Sequence, residues 1–427
     1  MSNPIFIARQ DTLEQEILPA HWLSQYKLFG EESYTFQDKE IWKKLCMSRA
    51  AANDRDMHAE ALEEMLTTFS AEHTGKWMLT VYGMDAAVLE GLATMAAVAG
   101  NGTAMAAVAG NALLMHAITN SETAMQAISR SQTAMQRIAN STTAMDAISG
   151  SKIARGAVQA SPYYNSYIKE NDMAIAKLVV SFANLASAGY SGMAGVAADA
   201  TAMNAVAASS TAMNAVAASS VARNAISASP YYDAKIKEND MAIAKLVVGF
   251  ANLESARYSG CAGMAADSTA MTAVAASSTA MTAVAASGVA LKAIAQAYKK
   301  TANMLQFLKA VNASDTLVKR IYSTLTNATA LFGAAQLGSQ DSVENANSWA
   351  TTSAAPNAFL ACACGYYGSS SDSVSVTYNG TVIAQKKTGT KQPGSVASTN
   401  VNAITMAPST FTENGDGYLA VQKFTAK

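Results

Sequence analysis

The stretch Ser209-Ser-Thr-Ala-Met-Asn-Ala-Val-Ala-Ala218 is one unit of a ten-residue repeat that runs through the middle of the chain. From Met95 to Met145 a methionine recurs every ten residues, and Val or Ile follows each methionine three places later. Self-similarity at a fixed period indicates an array of equivalent structural units. The repeat therefore decides the fold of about half of the chain.

A period of ten residues does not suit one long helix. An α-helix turns by about 100° per residue, so the large side chains would drift by roughly 80° around the helix with each unit. The spacings of 3 and 7 also differ from the alternating 3 and 4 of a coiled coil. Because Ala and Met favour helix over strand, we predict one short helix per unit. A Ser or Thr would be its N-cap, and the Met and Val/Ile would share one face.

Helices of two turns are unstable alone in water, so each unit must pack on neighbouring units or on other chains. We predict a repetitive array of short helices, built as a decapeptide solenoid or fibre, with the Met and Val/Ile side chains in its core. Methionine fills irregular gaps well, which favours a core role over binding of a soft metal ion. The predicted core residues are Met95, Val98, Met105, Val108, Met125, Ile128, Met135, Ile138, Met145, Ile148, Met203, Val206, Met213, Val216, Met271, Val274, Met281 and Val284.

A longer duplication lies within the array. The segment Ser161–Val180 returns as Ser229–Val248, an offset of 68 residues, and both copies begin with Ser-Pro-Tyr-Tyr. Asn171 and Asn239 open helical runs in the two copies and are predicted N-caps. The paired tyrosines are either a bulky plug where the array changes register or a binding platform, and we favour the plug. The duplication implies that the fold tolerates a change in length.

Composition divides the chain into four segments. Residues 1–86 have ordinary globular composition and are predicted to form an α-rich N-terminal domain. Residues 87–300 carry the array, and residues 301–341 are predicted to form a helical stalk with apolar residues along one face. Residues 342–427 begin with a Ser/Asn/Thr/Ala-rich linker and are predicted to form a small antiparallel β tip.

The clearest strand signal is a hairpin in this last segment. Asn379-Gly380 separates two short runs of alternating residues, which is typical of a two-residue hairpin turn. We expect Val376 to pair with Ile383, and we predict a final strand over 418–424.

Loops of the β tip are the predicted place for binding. Tyr366 and Tyr367 lead into a Gly-Ser-rich run, and Lys386, Lys387 and Lys391 flank a second loop. Tyr with Ser and Gly is a composition that adaptable binding loops use. These five residues are the candidate receptor contacts.

Catalysis and cofactor binding are not indicated. Only 14% of the residues are charged, well below the usual ~25%. The four histidines have no metal-ligand spacing, and Cys362-Ala-Cys364 is not a zinc spacing, so we predict reduced cysteines and no metal. Because no phosphate loop, nucleophile elbow or Cys/His pair is present, we predict a protein that is not an enzyme. A net charge of −1 without blocks of like charge does not favour nucleic acid as a partner.

A membrane span is also disfavoured. The uncharged segment Gly91–Met115 is long enough to cross a bilayer, but it is rich in Gly, Asn and Thr, and its repeat continues into charged units. The N-terminus has no basic region followed by a long apolar run, so it does not read as a secretory signal.

At its Ser-x-Thr-Ala-Met-x-Ala-Val/Ile-Ala units, over residues 87–294, the chain resembles tail fibres and other fibrous virion proteins of tailed bacteriophages. That resemblance implies a virion-attachment role for the N-terminal domain, assembly as a homotrimer, and a tip that binds a glycan or protein on the host surface. The chain departs from the family in having no long heptad shaft and no pair of carboxylates suited to cleaving glycosides.

The predicted function is therefore a structural fibre of a phage virion, made in the host cytoplasm, which links the tail or baseplate to a tip that attaches to the host. A first alternative is a purely structural collar, whisker or baseplate component that contacts other virion proteins. A second alternative is a bacterial surface adhesin.

Overall fold

The described residues are mainly helical and end in a β part. They contain 21 α-helices, and the strands that follow are almost all antiparallel, so the prediction of a mainly α chain with C-terminal β structure is confirmed. The predicted N-terminal domain, residues 1–86, lies outside the described residues. The computed structural model describes residues 92, 94–297, 301–341, 348–351, 357–366, 373–387, 390–391, 395–406, 409–414 and 417–427.

The chain divides into two compact units, Met1–Val196 (unit 1) and Ala197–Lys427 (unit 2). Helices of four to eleven residues fill the described part of unit 1. They are α1 (Met95–Gly100), α2 (Gly102–Gly110), α3 (Ala112–Thr119), α4 (Glu122–Ser129), α5 (Gln132–Ala139), α6 (Thr142–Gly150), α7 (Lys152–Gln159), α8 (Tyr164–Tyr167) and α9 (Asp172–Phe182), and α10 (Met193–Ala198) ends just past the boundary.

Unit 2 continues with helices of the same kind and then with two longer ones. They are α11 (Ala200–Ala208), α12 (Ser210–Ala218), α13 (Ser220–Ser227), α14 (Tyr232–Lys235), α15 (Asp240–Phe250), α16 (Cys261–Ala266), α17 (Ser268–Ala276), α18 (Ser278–Ala286), α19 (Gly288–Gln296), α20 (Thr301–Asn312) and α21 (Asp315–Asn327).

The predicted N-caps are confirmed. The side chains of Ser209, Asn171 and Asn239 each accept a hydrogen bond from the backbone N–H three residues later, at 3.2, 3.1 and 3.1 Å. Each bond satisfies one of the amides that the first turn of a helix leaves without a partner. The Ser or Asn junction therefore ends one helix and starts the next.

Many of these serines also join two helices that are distant in sequence. Ser141 Oγ accepts from Ala144 N at 3.2 Å and donates to Ala109 O at 2.6 Å, 32 residues earlier. The second bond satisfies a carbonyl at the C-terminal end of α2, which that helix cannot pair internally. The same donation over 32 residues is made by Ser131, Ser151 and Ser161 in unit 1 and by Ser229 in unit 2.

Many of the short helices pack on the helix three places further along the chain. In unit 1, α1 contacts α4, α2 contacts α5, α3 contacts α6 and α4 contacts α7, and in unit 2, α12 contacts α15, α15 contacts α18 and α18 contacts α21. The Met and Val/Ile side chains lie between these helices. All eighteen predicted core residues are buried, and the most exposed of them is Met95 at 4%.

The β part forms two sheets. One has the order β1-β9-β3-β6, with β7 also paired to β3, and the other has the order β2-β8-β4-β5. All pairs are antiparallel except the short pair of β3 and β6. The strands are β1 (Phe332–Asp341), β2 (Ser348–Thr351), β3 (Ala358–Tyr366), β4 (Ser373–Tyr378), β5 (Thr381–Lys387), β6 (Thr390–Lys391), β7 (Val401–Met406), β8 (Ser409–Asn414) and β9 (Gly417–Ala426).

The predicted helical stalk is wrong over its last part. Residues 301–327 form α20 and α21, but Phe332–Asp341 is strand β1, which pairs with β9 along its length. Ala and Leu in this segment suggested helix, whereas pairing with a buried partner strand overrides such weak preferences. Gly333 and Gly338 also lower the stability of a helix there.

The Asn379-Gly380 hairpin is confirmed, but its expected register is wrong. Both residues have positive φ, +49° and +76°, as a tight turn between twisted strands requires. Val376 faces Ala384 and not Ile383, because a bulge in β5 leaves Ile383 as an extra residue between two pairs. The predicted final strand is present as β9.

The β part and the helices before it share one core. A single cluster of buried apolar side chains runs from Ile243 in α15 to Phe424 in β9. Within that cluster α19 packs on β3 and β9, and Thr324 Oγ1 of α21 donates to Ala285 O of α18 at 2.8 Å. The last two short helices, α18 and α19, are therefore covered by α21 and by the sheet.

Among the described residues, no single helix has the length and hydropathy needed to cross a membrane. One pair, Ser268–Ala276 and Ser278–Ala286, meets the length and composition requirements only when the two helices are taken together, and it is bent by 104°.

Candidate functional site

The predicted receptor contacts lie on two different sheets. Tyr366 ends β3, where the register places it beside Lys391 of β6 and Gly417 of β9. Lys386 and Lys387 belong to β5 of the other sheet. Tyr367 lies outside the described residues. The structure thus brings Tyr366 and Lys391 together and separates them by sheet from the other two lysines.

Lys386 has a partner within the chain. Its Nζ lies 2.7 Å from Asp315 Oδ1 in the first turn of α21, and the two side chains are 24% and 74% exposed. An ion pair this exposed contributes at most about 1 kcal/mol to stability, so it orients the lysine more than it holds the fold together. A ligand that used Lys386 would have to compete with Asp315.

Buried polar side chains fix the β part on the two long helices. The Asn312 side chain donates to Ile404 O at 2.7 Å and accepts from Ile404 N at 3.0 Å. Its amide thereby pairs with β7 as a neighbouring strand would. Tyr322 Oη donates to Val396 O at 2.6 Å and lies 3.0 Å from Gln422 Oε1, and burial raises its pKa. These bonds attach β7, β9 and the segment before β7 to α20 and α21.

The duplicated segment carries a buried lysine in each copy. In unit 1, Lys177 is fully buried, and its Nζ lies 2.5 Å from Asp146 Oδ1 and 3.2 Å from Ser187 O. Ser187 Oγ donates to the same carboxylate oxygen at 2.8 Å. The buried ammonium therefore has an opposite charge and a carbonyl, which is what a charge withdrawn from water requires.

The second copy keeps the geometry and loses the charge. Lys245 is 1% exposed, and its Nζ lies 2.7 Å from Asn214 Oδ1 and 3.1 Å from Ser255 O. Ser255 Oγ donates to Asn214 Oδ1 at 2.9 Å. Without a carboxylate, burial lowers the pKa of Lys245. The two sites differ by a single Asp-to-Asn change at equivalent positions.

Sequence reasoning missed these networks, because the residue after each methionine looks variable and exposed. The signal that could have found them is the lysine itself. In both copies it interrupts the apolar run Met-Ala-Ile-Ala-Lys-Leu-Val-Val. A run of this kind is expected to be buried, and a buried lysine needs a polar partner.

The tyrosine pairs pack against the helices. Tyr164 and Tyr232 are partly buried beside the core clusters of their units, and burial raises the pKa of each to about 12. In the first copy, Tyr167 Oη accepts a hydrogen bond from Gln132 Nε2 at 2.7 Å. These contacts support the plug interpretation over an open binding platform.

The described cysteines are placed for packing. Cys261, Cys362 and Cys364 are buried and form no disulfide, and Cys46 lies outside the described residues. Burial raises the pKa of the Cys261 and Cys362 thiols, which disfavours the reactive thiolate. Within the described ranges no three His, Cys, Asp or Glu side chains come together as metal ligands.

Comparisons with known proteins do not supply a family. No protein-family model matches the sequence, and no curated protein is significantly similar to it.

Proposed function

We propose that this chain is a structural fibre protein of a bacteriophage virion, in which a stack of short helices carries a β tip that attaches to the host surface. The observation that carries the proposal is the bond from an N-cap serine to a carbonyl 32 residues earlier. The bond spans the same 32 residues at four successive junctions of unit 1, so that successive groups of three helices are joined there in the same way. A contact that repeats in this way supports the proposal of a solenoid.

A stack of this kind suits a spacer. Each added turn extends it by roughly one helix–helix distance, about 8–10 Å. The buried side chains are mostly Ala, Met, Val and Ile, and the buried thiols and phenols have pKa values that oppose reactive forms. This chemistry supports a scaffold, and we propose that the protein is not an enzyme.

The tip is proposed to bind a glycan or protein of the host surface through the Tyr366 and Lys391 edge, while the N-terminal segment attaches to tail or baseplate proteins. Assembly as a homotrimer would bring three tips together. A purely structural collar, whisker or baseplate component is the second candidate, and it would use the same edge to contact another virion protein. A bacterial surface adhesin is the remaining alternative.

Sedimentation velocity and electron microscopy of the full chain test the fibre. We expect an elongated particle with three times the 44.4 kDa mass of one chain. A compact monomer would contradict the proposal.

Attachment is tested with the full chain labelled with a fluorophore and mixed with a panel of bacterial strains or with purified virions. Strain-specific binding to cells that is lost in Tyr366→Ala and Lys391→Ala supports the host role. Binding to virions alone supports the structural alternative.

A further inference from the structure

A cleft in unit 2, separate from the Tyr366 edge, has the features of a ligand site. It has a volume of about 1000 Å³ and lies between one face of α21 and the α14–α15 connection. From α21 it is lined by Lys319, Arg320, Ser323 and Asn327, all exposed. The opposite side of α21 buries Val318, Ile321, Tyr322 and Leu325 in the core, so the helix is anchored and its polar face is fixed.

The acidic groups across the cleft are already engaged. Glu238 accepts from Gly288 N at 3.0 Å and from Val289 N at 3.1 Å, so its two oxygens cap the start of α19. Asp233 lies 3.3 Å from the Nζ of Lys237, four residues later in the chain. Both carboxylates therefore have partners other than the basic residues of α21.

Lys319 and Arg320 give the cleft a net charge of +1, since its lining holds three basic side chains, with Lys237, and two acidic ones, Asp233 and Glu238. In the part of the chain that the structure describes, neither side chain has an ion pair or a hydrogen bond to another residue. Two adjacent cations in a concave site concentrate the field and attract an anion. The planar guanidinium of Arg320 matches a carboxylate through two parallel hydrogen bonds.

The remaining lining suits a sugar ring. Ser323 and Asn327 both donate and accept hydrogen bonds, as the hydroxyl groups of a saccharide require. Val289 and Leu331 add apolar surface on which the C–H face of a ring can lie. No aromatic side chain is among the lining residues, so charge must supply much of the affinity.

We propose that this cleft binds an oligosaccharide that carries carboxylates, with Lys319 and Arg320 as its charge-recognising residues. The inference goes beyond attachment at the Tyr366 edge and does not depend on it. Uronic acids and other sugars with a carboxylate group are the expected building blocks of such a ligand.

Titration calorimetry of the full chain at low ionic strength tests the site. The probes are trigalacturonate, its methyl ester as an uncharged match, hexaglutamate and inorganic phosphate. We expect trigalacturonate to bind, the methyl ester not to bind, and Lys319→Ala and Arg320→Ala each to weaken binding about tenfold. Lys309→Ala, an exposed lysine outside the cleft, is the matched control and should leave binding unchanged.

Two kinds of result would overturn the proposal. If trigalacturonate does not bind, or if it binds equally to the Lys319 and Arg320 variants, the cleft is not the binding site for this oligosaccharide. Hexaglutamate or phosphate that binds as tightly as trigalacturonate shows a general anion or acidic-peptide site instead. Either result leaves the mass and shape of the particle, and thus the fibre proposal, to be judged separately.

Discussion

Lys245 donates a hydrogen bond of 2.7 Å to Asn214 from a position that is 1% exposed. The equivalent lysine of the first copy, Lys177, makes its bond to the carboxylate of Asp146. We predict that Asn214→Asp stabilises the protein by about 1 kcal/mol, since a hydrogen bond to a charged partner is worth more than one to a neutral partner. Asp146→Asn should cost about the same. Urea unfolding of the two variants measures both, and a destabilised Asn214→Asp would contradict the argument.

The same lysine makes stability depend on pH. Burial lowers the folded-state pKa of Lys245 below its usual 10.5. At pH values between the lowered folded-state pKa and 10.5, the unfolded chain binds more protons than the folded chain. The free energy of unfolding therefore rises as pH rises through this range. We predict that wild type gains stability relative to Lys245→Met as pH is raised toward 10.5. A constant difference between the two proteins across alkaline pH would show that the lysine is not linked to folding.

Ser141 should be needed for two bonds and not only for a helix cap. Ser141→Ala removes both the cap on Ala144 N and the donation to Ala109 O, at a cost of roughly 2 kcal/mol. Ser141→Asp keeps the cap, because Asp is a good N-cap, but its carboxylate cannot donate. We therefore expect Ser141→Asp to remain destabilised in denaturant unfolding. Wild-type stability in that variant would assign the serine to capping alone.

Gly260 should resist substitution because of a neighbouring carboxylate. Asp240 Oδ1 accepts from Cys261 N at 2.9 Å, and a Cβ on Gly260 would overlap the other oxygen of this carboxylate. We predict that Gly260→Ala lowers the unfolding free energy by about 1–3 kcal/mol. Gly263→Ala is the matched control, since a Cβ there meets nothing within 4 Å and alanine favours helix. If thermal unfolding showed the two variants to be equally stable, the proposed overlap would be wrong.

Removal of one copy of the duplication should leave a folded protein. Deleting residues 161–228 joins Ala160 to Ser229, so that each residue of the second copy takes the place of its equivalent. Lys245 would then face Asp146 in place of Asn214 and gain a charged partner. We expect native-like circular dichroism and a single cooperative transition. Aggregation or loss of cooperativity would mean that the copies are not interchangeable.

The helical part could be predicted because its determinants are local. The spacing of Met and Val/Ile sets the buried face, and a Ser or Asn at the junction ends many of the helices within ten residues. Strand β1 could not be predicted in this way, because its structure depends on pairing with β9, about 90 residues later. The hairpin turn was predictable from Asn379-Gly380, whereas the bulge at Ile383 depends on the packing of the finished sheet.

The candidate sites were harder to predict for the same reason. The partners of Lys177 and Lys245 come from 31 residues earlier, at a position that varies from unit to unit. The charge of Lys319 and Arg320 looks like an ordinary solvated helix face until the carboxylates opposite are found to be engaged elsewhere.

The cover that α21 and the sheet place over the last helices of unit 2 has a consequence for assembly. If these last helices were uncovered, their free carbonyls and apolar side chains could pack on the uncovered first helices of another copy. Such molecules would join end to end without limit. Thr324 is bonded to Ala285, and α19 packs on β3 and β9, so these helices are covered, and we predict that they do not support end-to-end association of copies.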